Sequence, residues 1–236
     1  MIKVDDLLYE FELRINQLDR QDNQNIFLEN KLIHLNNAQI SWVKSKLNPN
    51  NIYKIGYEGM RKRIDDLQVL KVNNKKLNLK LGENKKYLNY EASLDIEDYM
   101  FYQASYLEAS KGSCKNTLGV NLIKEGQVSV LYYNENYQPS YFWMETIATI
   151  GNNTLYVYYT EDFSIDNVYL TYLRKPKKID KEGYVNFDGS DSVNQDCELP
   201  EYAKNDILDI AVGYASMATD NQLQAQFAKL REQNNE

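Results

Sequence analysis

Few side chains in this sequence are of the types that perform catalysis. The single histidine, His34, lies in a predicted helix, and nothing local arranges a serine or cysteine nucleophile beside it. The two cysteines, Cys114 and Cys197, lie far apart and outside any CxxC pair, which predicts two free thiols with packing roles. One histidine and two cysteines cannot supply the four ligands of a structural zinc site. Phosphate-binding glycine motifs are also missing from the sequence.

Carboxylates are the remaining candidates for acid–base chemistry. Asp95, Glu97 and Asp98 precede a predicted strand, and Glu161 and Asp162 fall in a predicted hairpin loop. Two acids held across a cleft can hydrolyse a glycosidic bond, but adjacent acids in exposed turns are usually solvated.

The acidic stretch 188–196 holds three aspartates with an asparagine and a glutamine, which are oxygen ligands that calcium accepts. Its spacing does not match the EF-hand loop, so we expect an ordinary connector. The sequence therefore predicts no catalytic residue, no metal site and no cofactor.

The sharpest local feature is an aromatic run at residues 137–143, with Tyr137, Pro139, Tyr141, Phe142 and Trp143. Exposed rings there would form a platform for stacking a sugar or docking a partner. We favour a strand that begins at a proline turn and directs its aromatic side chains into a β-core. The aromatic residues occupy both faces of such a strand, so at least one face must be buried.

Helices are predicted at the N-terminus. An amphipathic helix covers residues 3–18, where one apolar stripe holds Val4, Leu7, Leu8, Phe11, Ile15 and Leu18. A longer helix follows a cap at Asp22 or Asn23 and ends at about Leu47. We expect these two helices to form an antiparallel hairpin. A third, short helix covers residues 58–70.

From residue 76 to about 175 the apolar pattern changes to a period of two. Strands are predicted at 77–81, 87–93, 99–109, 118–123, 127–133, 141–150, 155–160 and 167–174. Glycine-containing turns at 111–113, 124–126 and 151–153 separate several of them. Short strands with frequent turns predict an antiparallel sandwich or barrel.

The C-terminal part returns to helix. Residues 177–198 form an acidic connector, and Pro200 opens a final helix rich in small residues, followed by a polar tail. The predicted fold class is α+β, with an antiparallel β-sandwich or barrel domain inserted in a bundle of N- and C-terminal helices. The predicted domains are 1–75, 76–176, 177–198 and 199–236, the last packing on the N-terminal helices.

Composition limits the partners of this chain. It has 236 residues, a net charge of −7 and 43% hydrophobic residues, which predicts a packed core. The acidic balance argues against binding to duplex DNA or a membrane surface. Acidic residues near the N-terminus and the absence of a long apolar run predict a soluble protein made in a cytoplasm.

Short motifs are spread over nearly the whole chain. The N-terminal ones are Leu7-x3-Phe11, Arg14-x3-Leu18-Asp19-x2-Asp22-x2-Asn25-Ile26 and Ala38-Gln39-x2-Trp42. The others are Arg63-Ile64-Asp65-Asp66-Leu67-Gln68, Asn136-Tyr137-Gln138-Pro139-Ser140, Tyr172-Leu173-Arg174-Lys175-Pro176-x2-Ile179-Asp180 and Cys197-Glu198-Leu199-Pro200-x6-Ile207-x2-Ile210-Ala211-Val212. Together these motifs resemble those of ring proteins in the virion neck of crAss-like Bacteroidetes phages, and the last resembles the end of many head–tail adaptors.

This resemblance implies a non-enzymatic virion protein that forms a symmetric, usually twelve-fold, ring below the portal. Its partners would be identical copies, the portal protein and other neck or tail rings, and the genome would pass through during ejection. Twelve copies at −7 each carry −84, and an acidic lumen would let DNA slide without specific binding. The candidate interface residues are Trp42, Tyr137, Pro139, Tyr141, Trp143, Tyr202, Tyr214 and Phe227.

Two other function classes stay open. A carbohydrate- or receptor-binding virion component would present Tyr137, Tyr141 or Trp143 as a flat exposed platform. A carboxylate hydrolase would place two acids about 5 to 10 Å apart across a cleft. A ring subunit requires neither feature, but it leaves apolar surface bare until its neighbours are present.

Overall fold

The computed structural model describes residues 1–18, 26–47, 61–83, 86–185 and 189–218. The chain divides into two compact units. One is a helical unit from residues 1–69 and 176–236, and the other is a β unit from residues 70–175. The N- and C-terminal helices pack together, and a mostly antiparallel sheet occupies the chain between them, which confirms the predicted α+β class.

Five α-helices lie in the described part of the chain. They are α1 (Val4–Leu18), α2 (Leu28–Leu47), α3 (Arg61–Leu67), α4 (Val128–Tyr132) and α5 (Lys204–Ala218). The predicted stripe of α1 is directed inward, since Leu7 and Phe11 are fully buried. No described helix combines the length and the hydropathy needed to span a membrane. The proposed caps of the second helix lie outside the described residues.

The C-terminal helix α5 is the main partner of both N-terminal helices, rather than α1 and α2 of each other. Arg14 of α1 donates to Asp209 of α5 at 2.6 Å, and the Trp42 indole nitrogen of α2 donates to Asp206 of α5 at 3.1 Å. A surface ion pair between Lys31 and Glu12, at 2.6 Å, joins α1 to α2. The predicted two-helix hairpin is therefore a bundle organised around α5.

Two amides of α2 fix the start of the C-terminal connector. Asn36 accepts from the Ile179 amide and donates to its carbonyl, both at 2.8 Å, and Gln39 donates to the Lys177 carbonyl at 3.0 Å. Buried amides require such partners, because an unpaired polar group in the core costs about 1–3 kcal/mol. These bonds attach the connector to the helical core.

The β unit is one eight-stranded sheet. Its strands are β1 (Lys71–Lys76), β2 (Leu79–Leu81), β3 (Asn89–Ser93), β4 (Tyr99–Lys111), β5 (Cys114–Leu122), β6 (Glu145–Gly151), β7 (Thr154–Tyr158) and β8 (Ser164–Arg174). Their order is β1-β8-β4-β5-β6-β7-β3-β2, and every pair is antiparallel except β5 with β6. The two edge strands are consecutive in the chain, because only Leu77 and Asn78 separate them.

That short link bends the sheet into a half-barrel. The Leu77 amide still donates to Val168 of β8, at 2.9 Å, whereas the Asn78 carbonyl already accepts from Ser93 of β3, at 3.2 Å. The curled inner face holds the core, whose fully buried members include Leu107, Leu118, Leu155, Val157, Val168 and Leu170.

Three strand assignments made from the sequence need correction. Residues 127–133 do not form a strand: residues 125–127 form a 3-10 turn, and α4 covers Val128–Tyr132. The strand expected at 141–150 begins only at Glu145. Residues 71–76, which the pattern left in the helical part, form β1. Turns at Gly112 and at Asn152–Asn153 are as expected, since Gly112, Asn152 and Asn153 have positive φ.

Candidate protein-interaction surface

The most exposed apolar residues of the β unit lie on the connection between β5 and β6. These strands pair in parallel, and a parallel pair needs a crossover that returns the chain to the same end of the sheet. Residues 123–144 make that crossover, and with Glu145, the first residue of β6, we call them the crossover surface. Its helix α4 is anchored by buried Val128 and by Tyr132, whose hydroxyl donates to the Tyr159 carbonyl at 3.1 Å.

The last part of this connection is a closed turn, residues 140–145, which we call the aromatic loop. Ser140 and Glu145 exchange backbone hydrogen bonds at 2.9 and 3.2 Å. The Trp143 amide donates to the Ser140 hydroxyl at 3.3 Å, and the Gly119 amide of β5 donates to the Met144 carbonyl at 2.8 Å. Met144 has a φ of 55°, which a non-glycine residue adopts only when its surroundings enforce it.

This backbone directs two large rings into solvent. Phe142 is 79% exposed and Trp143 is 71% exposed, with Met144 half-exposed beside them. Tyr141 packs on the core instead, with its ring 6.2 Å from that of Phe163. The expectation that the run forms a strand filling the core is thus wrong for Phe142 and Trp143, because the segment is a turn and not a strand. Partly buried Tyr141 agrees with it, and Pro139 beside it is buried.

The two exposed rings form a wedge rather than a flat platform. Their centroids are 5.1 Å apart and their planes stand at 85°, an edge-to-face pair. A sugar ring stacks on a flat aromatic face, whereas a wedge suits insertion into an apolar pocket. Exposed aromatic anchors of this kind contribute much of the binding energy at protein interfaces.

The other predicted interface residues have different environments. Trp42 is only 2% exposed, and Tyr214, which is partly buried, shares a hydrogen bond of 2.6 Å with Ser41. Tyr202 is largely exposed, and its hydroxyl donates to Asp66 at 2.7 Å. Tyr137 is 63% exposed on the crossover surface. Phe227 lies outside the described residues.

The histidine and the two cysteines first considered for chemistry differ in their burial. Burial lowers the pKa of His34, and burial raises the pKa of the Cys197 thiol to about 11. Cys114 and Cys197 are both free thiols, as predicted, but the packing role expected of both is wrong for Cys114, which is exposed, whereas Cys197 is buried.

Three of the candidate acids have partners within the chain. Asp98 accepts from the Tyr172 hydroxyl at 2.9 Å, and Asp196 accepts from the Val4 amide at 2.9 Å. Asp162 lies 3.6 Å from Lys111. Within the described ranges, no three His, Cys, Asp or Glu side chains cluster as a metal site would require.

No protein-family model matches this sequence, and no curated protein matches it at a significant level. Function is therefore inferred from the exposed surface and from the motifs of the chain.

Proposed function

We propose that this chain is a structural, non-enzymatic protein of a bacteriophage virion. It forms a symmetric ring, twelve-fold by the resemblance of its motifs, that joins the portal to the tail around the genome channel. The observation that carries the proposal is the aromatic loop, where Phe142 and Trp143 are held in solvent by a hydrogen-bonded turn. Apolar surface kept bare in this way is typical of a subunit that lacks its neighbours.

A closed ring requires two different contact surfaces on each subunit. Each subunit of a cyclic ring larger than a dimer uses one surface to contact a different surface of the next copy. The crossover surface, with the aromatic loop and exposed Tyr133 and Tyr137, supplies one of these two surfaces.

The remaining partners follow from the place of such a ring in the virion. The portal protein and other neck or tail rings lie above and below it, and the protein is made in the bacterial cytoplasm before assembly. The net charge of −7 per copy supports passage of DNA without specific binding. No membrane partner is needed.

Cryo-electron microscopy of the intact particle tests this function. The map is expected to contain a ring of subunits with this fold between the portal and the tail. Density for the same fold only on the capsid surface or at the tail tip would contradict a neck role.

A second candidate is a carbohydrate- or receptor-binding virion component. Exposed Tyr137 and Trp143 favour it, since both rings are accessible in the free chain. Titration with host surface polysaccharide, followed by tryptophan fluorescence, separates the two functions. A saturable change that Trp143→Ala removes would support this candidate over the ring.

A further inference from the structure

The outer face of the curled sheet carries a pair of stacked aromatic rings. Tyr106 of β4 and Tyr169 of β8 are paired across the two strands, and their ring centroids are 5.0 Å apart with the planes inclined by 18°. Their neighbours Leu107, Val168 and Leu170 point into the core, so both tyrosines point outward. Rings lying edge to edge in one plane cannot approach so closely. The two rings therefore overlap face to face, and each keeps one face that the other does not cover.

The uncovered face of Tyr106 is directed towards a glycine. Strand β4 lies between β8 and β5, and on the β5 side Tyr106 is paired with Gly119. Among the described residues, a Cβ atom built on Gly119 would have only the Met144 carbonyl oxygen within 4 Å, at 3.9 Å. The Tyr106 ring therefore does not lean over the glycine, which is itself exposed. The space above Gly119 is open.

The crossover bounds the far side of this space. Gly119 is in register with Glu145 of β6, and the next outward residue of β6, Ile147, is buried in one cluster with Val128 of α4. Strands β4 and β6 are two strand spacings apart, which is about 10 Å. We call the space between them the glycine slot, with Tyr106 as one wall, Gly119 as the floor and Glu145 at the opposite side.

Polar side chains surround the floor of the glycine slot. Thr117 and Asn121 lie two residues before and after Gly119 on β5, so they point to the same face of the sheet, and both are exposed. Glu145 is exposed as well. A hydroxyl, an amide and a carboxylate thus offer hydrogen-bond donors and acceptors around one aromatic face.

Hydrogen bonds hold the aromatic wall in position. Glu108, which is paired with Thr117 on the outer face, accepts from the Asn167 amide at 2.6 Å and from the Tyr169 hydroxyl. Because Tyr169 is fixed by this bond and stacks on Tyr106, the ring of Tyr106 is supported from behind. A preorganised wall reduces the entropic cost of binding a ligand against it.

We propose that the glycine slot binds one sugar unit of a neutral polysaccharide, stacked on the uncovered face of Tyr106. A pyranose ring has an apolar face of C–H groups and a rim of hydroxyls, which matches a flat aromatic wall surrounded by Thr117, Asn121 and Glu145. An acidic sugar is disfavoured, because its carboxylate would approach those of Glu108 and Glu145. This inference goes beyond the proposed ring and does not depend on it, since every wall of the slot belongs to one copy.

A nucleotide base is the competing occupant, because bases also stack on aromatic side chains. Its phosphates, however, would approach Glu108 and Glu145 in a chain whose net charge is −7. A neutral sugar uses the same aromatic face without this repulsion, which is why we favour it.

Saturation-transfer difference NMR on the full-length chain tests the site, since it detects binding as weak as about millimolar. The probes are four neutral hexaoses, namely cellohexaose, maltohexaose, mannohexaose and xylohexaose, with hexagalacturonate as the acidic comparison. We expect saturation transfer to at least one neutral hexaose, strongest at its ring C–H protons, and none to hexagalacturonate.

Two glycine variants separate binding from folding. Gly119→Val fills the slot, and a β-branched residue suits a strand with room for its side chain, so folding should be retained while binding weakens about tenfold or more. Gly126→Val is the matched control, because a side chain at this exposed turn of the crossover meets no described atom within 4 Å. It should bind as the unchanged chain does. Tyr106→Ala should also lose binding, and thermal denaturation checks that each variant is folded.

Each other result overturns the proposal. Saturation transfer to none of the neutral hexaoses would show that the slot takes no such sugar and that the tyrosine pair only stabilises the sheet. Binding that persists in both Gly119→Val and Tyr106→Ala would place the sugar elsewhere on the chain. Tighter binding of hexathymidylate than of every hexaose would assign the slot to nucleic acid. The ring is tested separately by imaging of the particle.

Discussion

The Gly119 amide of β5 donates a 2.8 Å hydrogen bond to the carbonyl of Met144 in the aromatic loop. This bond lies at the start of the parallel β5–β6 register, where Gly119 is paired with Glu145. The sheet therefore fixes the position of the loop that carries Phe142 and Trp143. A preorganised loop binds with a smaller entropic cost than a flexible one, which suits an assembly contact.

Replacing the two exposed rings should separate assembly from folding. Because the side chains of Phe142 and Trp143 are mostly in solvent, the double variant Phe142→Ser/Trp143→Ser should change the free energy of unfolding by no more than about 0.5 kcal/mol. Self-association, followed by mass photometry, should be lost. The control is Tyr9→Ser on α1, which removes a similarly exposed ring from the helical unit. Loss of association in both variants would argue against a specific role for the loop.

Because Met144 has a positive φ, we expect an unusual ranking of substitutions at this position by their effect on stability. Glycine adopts this conformation freely, so Met144→Gly should leave stability nearly unchanged or raise it. A β-branched residue is strained there, and Met144→Ile should destabilise by about 1–2 kcal/mol, although its side chain is equally apolar. Urea denaturation of the two variants checks this. Equal stability of the two variants would mean that the loop adopts another backbone conformation.

Trp42 and Asp206 join α2 to α5, and their bond should contribute measurably to stability. The Trp42 indole is buried and its nitrogen donates to the Asp206 carboxylate, so Trp42→Phe removes a donor at a charged acceptor. A coupling energy of about 1–3 kcal/mol is expected from the double-mutant cycle with Asp206→Ala. Additive effects would show that the bond makes no net contribution.

Tyr172 should make the β unit sensitive to alkali. Burial, followed by the hydrogen bond to Asp98 and the negative charge of that carboxylate, raises the pKa of Tyr172 to about 12, above the ordinary 10.0. The folded state thus holds this proton more tightly than the unfolded chain does. Its stabilising effect is complete below about pH 10 and is lost as the pH rises through 12.

Absorbance at 295 nm follows this ionisation. Burial and a hydrogen bond to a carboxylate also raise the pKa of Tyr184 and of Tyr202 to about 12, so three of the described tyrosines should titrate there. Tyr172→Phe should remove one of these three ionisations and reduce the loss of stability between pH 10 and 12. An unchanged profile in the variant would show that Tyr172 makes no contribution to it.

Local periodicity was sufficient to predict elements whose burial follows a single period. The stripe of α1 and the turn at Gly112 are of this kind. Strand β1 was not predicted, because Val72 is its only apolar residue. A strand with one apolar residue shows no alternation of apolar and polar side chains. Helix α4 has five residues, fewer than two turns, and its valines at 128 and 130 mimic strand alternation.

The candidate surface was identified only in part. The aromatic run was found from its composition, but its exposure depends on the parallel pairing of β5 with β6, a long-range choice that places the run in a crossover. Sequence reasoning also missed Tyr132 and Tyr133, whose hydroxyls form hydrogen bonds with the backbone of Leu88 and Lys86. These bonds join residues more than 40 positions apart, so no local pattern predicts them.

The central claim is that the aromatic loop is covered by a neighbouring copy. Acrylamide quenching of tryptophan fluorescence tests it most directly, because the chain has two tryptophans, Trp143 exposed and Trp42 buried as an internal reference. In the assembled ring the quenching of Trp143 should fall severalfold, and its emission should shift to shorter wavelength. If Trp143 is quenched as strongly in the ring as in the monomer, the loop is not the contact between copies.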